Sequence, residues 1–166
     1  MTIHNEHPFQ TPPEARDPAR RLRGRLVGPV TIVTAGTDGM TASAVLVVEG
    51  LPARVVMAVS EGADFRHAVS ETTRFVMHVG EQDHRPLADR FAEISPSPGG
   101  LFAGLEVTET KWGPLIGGFA TWAGCRLEST TQVGSQLLLI GEIEELHLGE
   151  IHDPLVYFRG RYRRLS

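Results

Sequence analysis

Gly39-Met40-Thr41-Ala42-Ser43-Ala44-Val45 is the stretch on which the fold of this chain turns. Upstream stands the β-branched run Val30-Thr31-Ile32-Val33-Thr34, and Gly36-Thr37-Asp38-Gly39 between the two carries the residue types of a tight turn. The pattern predicts a hairpin whose second strand runs from Met40 to Val48. Small and hydroxylated residues at 41–44 let backbone N–H groups approach a flat, anionic ligand that bulky side chains would hold off.

Working outward, Arg54 to Val59 reads as a third strand after Pro52. Asp64 to Glu71 reads as a short helix with Phe65, Ala68 and Val69 on one face, and Arg74 to Val79 as a returning strand. Leu87, Ala88 and Phe91 recur at helical spacing between Pro86 and Ile94. Asp17-Pro18 supplies an N-cap and a first-turn proline to an Arg-rich helix running toward Leu26, with Gly24 placed to end it early. Ser95-Pro96-Ser97-Pro98-Gly99-Gly100 reads as a surface loop. Further strands are predicted over 105–110, 119–130, 136–147 and 154–159, with Gly134-Ser135 turning the long pair. Strands and helices do not alternate regularly, so the expectation is a mostly β, antiparallel, Greek-key-like barrel with short flanking helices. Residues 1–15 are expected to form a flexible arm, and 16–166 one domain.

Composition removes several classes. A net charge of −4 without a face-long basic run argues against nucleic acid as a partner. No apolar stretch reaches the ~20 residues needed to span a bilayer, and Met1 to Pro13 lacks an apolar leader core, so a cytoplasmic protein is expected. The single cysteine, Cys125, sits in an apolar stretch and reads as a small buried thiol. The seven histidines are scattered without metal-ligand spacing, so no metal is expected. There is no GxSxG elbow, no GxxxxGK[ST] phosphate loop and no GxGxxG after a strand.

A set of landmarks then falls in a familiar order: Pro29 to Thr34, Gly39 to Ala44, Arg74-Phe75-Val76, Leu87 to Ala92, Gly113-Pro114-Leu115, Cys125-Arg126-Leu127, Ile140-Gly141-Glu142-Ile143 and the ending Pro154 to Tyr162. From about Arg25 to Leu165 the chain resembles the flavin reductase-like, FMN-binding split-barrel family, which includes reductase components of two-component flavin monooxygenases. The resemblance implies an antiparallel split barrel, a homodimer with FMN or FAD near the subunit interface, NADH or NADPH as co-substrate, and a partner monooxygenase. It assigns flavin contacts to Gly39, Met40, Thr41, Ser43, Ala44, Ala58, Val59, Ser60, Arg90 and Phe91, with Arg90 able to pair with phosphate through its guanidinium fork. Gln136 and Tyr157 fall on the nicotinamide side. No side chain is assigned as catalytic, because the two cofactors hold the reacting atoms and the protein aligns them.

The chain departs from that pattern at three places. The presumed phosphate segment Ser60-Glu61-Gly62-Ala63-Asp64-Phe65-Arg66 carries two carboxylates, His78 stands at a frequent asparagine, and Gln136 replaces a histidine. The acidic segment with Glu61 and Asp64, together with Gln136, leaves open an alternative in which the protein binds flavin without significant reductase activity.

Overall fold

The computed structural model describes residues 17–166, so the arm expected at 1–15 lies outside the described residues. Helix α1 (Pro18–Arg23) opens where the Asp17 carboxylate accepts the Ala19 N–H at 2.9 Å, and it ends at Gly24. Strands β1 (Gly28–Pro29), β2 (Thr31–Ala35), β3 (Asp38–Ala42), β4 (Val45–Val48) and β5 (Arg54–Ser60) follow. Helix α2 (Asp64–Thr72), strand β6 (Arg74–Val79), a 3-10 turn at Gln82–His84 and helix α3 (Arg85–Phe91) come next. The chain ends in β7 (Val107–Thr110), β8 (Gly113–Ile116), β9 (Thr121–Val133), β10 (Gln136–Leu148), β11 (Leu155–Phe158) and β12 (Arg161–Arg164).

The structure adds β1, β8 and β12 to the expected strands and divides another. The single strand expected over Met40–Val48 is two strands, separated by Ser43-Ala44. β3 pairs with β2 as the hairpin reading requires, with Val33 opposite Met40, whereas β4 pairs with β5. The seven-stranded antiparallel sheet runs in the order β3-β2-β6-β9-β10-β5-β4, so these two strands are its opposite edges.

That order fixes the shape. At about 4.8 Å per strand, a flat sheet would hold its first and seventh strands roughly 29 Å apart. Ala42 and Val45 are joined by three Cα steps, which reach at most about 11 Å. The sheet must therefore curl until its edges meet. The Ala58 N–H donates to the Ala44 carbonyl at 3.0 Å beside the crossing, while no ladder joins β3 to β4. The result is an antiparallel barrel left open along one seam, as expected of a split barrel. A three-stranded sheet (β1-β11-β12) and the β7–β8 hairpin flank it.

Inside the curl, Val33, Val55, Met57, Phe65, Val69, Phe75 and Leu139 form the main core. Alternation along β5, with Val55, Met57 and Val59 buried, follows the period-2 pleat. Fully burying each such side chain contributes roughly 1.5–3 kcal/mol. Cys125 belongs to this core, and burial pushes its thiol up to about 12, which leaves it protonated and unreactive at neutral pH. Two smaller clusters lie outside. One gathers Ile32, Phe91, Ile116 and Phe119, and the other places Tyr157 and Tyr162 on Val30, Ala88 and Leu155. None of the helices is long and apolar enough to cross a membrane among the described residues.

Candidate functional site

A cleft of about 310 Å³ opens beside the seam, where edge strand β3 meets the first turn of α2 and the end of α3. From β3 come Asp38, Gly39, Met40 and Thr41, and from the start of α2 come Gly62 to Phe65. Phe91, Ala92, Glu93 and Leu101 close the far side. Because β3 is hydrogen-bonded only to β2, backbone groups along its free edge remain available to a ligand.

Each wall has a local cause. Gly39 has no room for a side chain: a Cβ there would lie 2.6 Å from the Phe91 ring and 2.8 Å from the Val33 carbonyl. The space a side chain would take is filled by Phe91, which is buried and meets Phe102 edge-on at 5.5 Å. Thr41 is pinned by its hydroxyl, which donates to the Ala88 carbonyl at 2.6 Å and so fastens β3 to α3. At α2 the N-cap is Ala63, which offers no side-chain oxygen, so the positive end of the helix dipole stands at the cleft wall. Glu93 follows α3 with φ at 58°, a left-handed backbone that sets its direction at the rim.

Arg90 does not line the cleft, and one of its guanidinium nitrogens bonds within the chain. Its Nη1 donates to the carbonyls of Leu101 at 3.3 Å and Ala103 at 2.9 Å. The guanidinium thus holds the glycine-bearing loop after Gly99 against the cleft, and Leu101 becomes a wall.

The structure brings together Gly39, Met40, Thr41 and Phe91 of the sequence-assigned residues. Ser43 and Ala44 lie in the seam between β3 and β4 and do not line the cleft. Ala58, Val59 and Ser60 run along β5. Val59 is buried in the main core, which leaves its side chain no access to a ligand. Gln136 stands directly opposite Ser60 in the β5–β10 ladder, two residues before Gly62 of the cleft wall. Tyr157 lies on the three-stranded sheet and packs edge-on against Tyr162, away from the cleft lining. Asp38, Ala92, Glu93 and Leu101 were not anticipated from the sequence. They enter through the first residue of β3, a helix end and a loop, none of which carries a periodic signal.

Behind the cleft, His78 spans three elements. The Ile116 N–H donates to its Nε2 at 3.0 Å, so the ring proton is on Nδ1, which donates to the Ile32 carbonyl at 2.8 Å. Burial holds its pKa down, at about 4, and keeps the ring neutral. His84 stacks on Phe119 at 3.8 Å, and its Nε2 is 2.9 Å from the Gly118 carbonyl.

Comparison with known proteins places this geometry. The flavin reductase like domain matches residues 23–166. The chain is 32% identical over 145 residues to the reductase component of 4-hydroxyphenylacetate 3-monooxygenase of Thermus thermophilus, covering 85% of this chain and 91% of that one. It is 28% identical over 166 residues to the FMN reductase (NADH) RutF of Ancylobacter novellus, covering 98% and 92%. Among solved structures, the NADH:FAD oxidoreductase SgcE6 of Streptomyces globisporus superposes with a TM-score of 0.82 at 24% identity, over 95% of this chain and 97% of the other.

Proposed function

Because the chain belongs to the flavin reductase like domain family, we propose that it is an NADH-dependent flavin reductase that supplies reduced flavin to a partner monooxygenase. The observation that carries this is the open edge of β3 running along an aromatic-walled cleft in a chain that matches the family over residues 23–166. A strand edge offers alternating N–H and C=O groups, which suit the alternating acceptors and donors on the pyrimidine edge of an isoalloxazine. Met40, Phe91 and Leu101 supply apolar surface for its rings.

A bound flavin would supply the hydride-accepting chemistry, which belongs to the cofactor and not to a side chain. The chain's residues position and shield. Thr41 locks β3 to α3, Arg90 holds Leu101 in place, and Phe91 keeps water from the inner wall. Gln136, beside Ser60, is the hydrogen-bonding group assigned to the nicotinamide side; its amide donates and accepts without titrating. Ser43, Ala44, Ala58 and Ser60 lie along the seam and β5 next to the cleft, where a flavin longer than the cleft would extend.

The working unit is a homodimer in the cytoplasm, with residues 16–166 as its single domain. Edge strand β4 carries Leu46, Val47 and Val48, all roughly half exposed, and Leu51 beyond it is fully exposed. Such a contiguous apolar edge is suited to a second copy.

The assay is NADH oxidation by the purified protein with and without added FMN or FAD. Flavin-dependent oxidation supports the reductase. Flavin uptake with no NADH oxidation at any pH supports the alternative of a flavin-binding protein without reductase activity, and failure to take up any flavin overturns both.

A further inference from the structure

One strongly charged surface takes no part in the cleft. Helix α1 and the residues after it carry Arg20, Arg21, Arg23 and Arg25, all exposed, and the turn between β11 and β12 carries exposed Arg159. The Arg159 N–H donates to the Gly24 carbonyl at 2.9 Å, which sets the two segments side by side. None of Arg23, Arg25 and Arg159 has an ion-pair partner among the described residues. Arg25 gives one nitrogen, Nη1, to the Arg21 carbonyl at 3.3 Å. Arg159 lays its guanidinium over the Phe158 ring, with Cζ 5.3 Å from the centroid, a stacking that consumes no N–H.

Position gives this corner its meaning. The chain runs from it directly to the open seam, where a Cβ on Gly28 would lie 3.0 Å from the Ser43 carbonyl oxygen. Across the seam the Ala58 N–H donates to the Ala44 carbonyl, and Ser60, two residues further along β5, faces Gln136. Tyr157 stands opposite Gly28 in the other direction. Both residues given to the nicotinamide side thus flank the seam that β1 abuts, and Arg25 is three Cα steps from Gly28, at most about 11 Å. A pyridine dinucleotide carries its negative charge on a pyrophosphate, one ribose away from the nicotinamide. Guanidinium forks match phosphate oxygens in pairs. Next to Arg25, Leu26 and Val27 are 66% and 62% exposed and offer apolar surface to a purine ring.

We propose that the corner formed by Arg23, Arg25 and Arg159 holds the adenosine diphosphate half of the reduced pyridine dinucleotide, with the pyrophosphate on the guanidinium groups and the purine against Leu26 and Val27. The proposal rests on the flavin reductase assignment above and deepens it by naming where the co-substrate is gripped away from its reacting ring.

The test is calorimetric titration of the intact protein with ADP and with inorganic pyrophosphate, beside steady-state NADH oxidation with added flavin. ADP is expected to bind, to compete with NADH and to weaken as salt rises. Inorganic pyrophosphate, which has no purine, is expected to bind at least about fivefold more weakly. Arg25→Gln and Arg159→Gln alter exposed side chains, and each is expected to weaken ADP at least about fivefold while leaving flavin affinity within about twofold. Both variants should raise KM for NADH by more than they lower kcat. ADP that does not bind, variants that hold it as tightly as the wild type, or pyrophosphate that binds as well as ADP would each overturn the proposal, and continued NADH oxidation would leave the reductase assignment standing. Absence of NADH oxidation by the wild type overturns the assignment and the proposal with it.

Discussion

His78 shows how much one side chain can commit. It donates to β2 and accepts from β8 while sitting on β6, so protonation of Nε2 would set two N–H groups against each other at Ile116. Its pKa lies at about 4 in the folded chain, below the ordinary 6.5, so the unfolded state takes up the proton first as pH falls. The stability it contributes is fully present above pH 6.5 and is lost between 6.5 and 4. Urea unfolding is expected to show a loss of about 2 kcal/mol between pH 7 and 5 from this residue. His78→Gln, which cannot titrate, should flatten that part of the profile. Arg90 makes a second residue-level prediction. If its task is to hold Leu101 and Ala103, Arg90→Ala will weaken riboflavin and FMN by similar factors and lower stability by roughly 1–2 kcal/mol. A loss confined to FMN in parallel titrations would return the guanidinium to a phosphate role.

Among the elements, β2, β5, α2, β6 and the long β9–β10 pair could be read from the chain within a few residues, because each has a clean period or a turn dipeptide at its end. The break at Ser43-Ala44 could not. Both halves of 40–48 suit a strand, and only pairing with different partners divides them. β1, β8 and β12 escaped for similar reasons: two carry Gly and Pro in a few residues, and β12 is Arg-Tyr-Arg-Arg, whose strand state comes from β11 beside it. The site divided along the same line. Gly39, Met40, Thr41 and Phe91 belong to the landmarks that carry the family resemblance, whereas Glu93 and Leu101 reach the cleft through backbone turns. Edge strand β4 carries its own prediction. Val47→Lys puts a charge on a position already 55% exposed, so the fold should tolerate it while the apolar edge no longer joins a second copy. Sedimentation at micromolar concentration should change from dimer to monomer, and a wild-type monomer that binds flavin fully would end the dimer proposal.

On the scale of the molecule, charge is sorted in space in a way the linear chain conceals. Residues 17–29 and 154–166 hold eight arginines and one acidic side chain, in a protein whose net charge is −4. Pairing of β1 with β11, and the Arg159 N–H donating to the Gly24 carbonyl at 2.9 Å, bring the two segments together. No basic run is visible in sequence because its halves lie near opposite ends of the chain. The folded protein therefore carries a basic end opposed to an acidic remainder, an arrangement that orients anionic molecules as they approach.

The open seam of the barrel has one more consequence, for how the protein breathes. Strand β3 is anchored on one side only, while β9 and β10 are each paired on both sides for much of their length. Opening free energies differ across a fold, and singly held edges are the first to part. In hydrogen–deuterium exchange, the amides of Gly39 to Thr41 are expected to label well before those at the centre of β10, and a bound flavin should slow them selectively. The wall that greets the ligand would then be the part of the sheet that the ligand itself quietens.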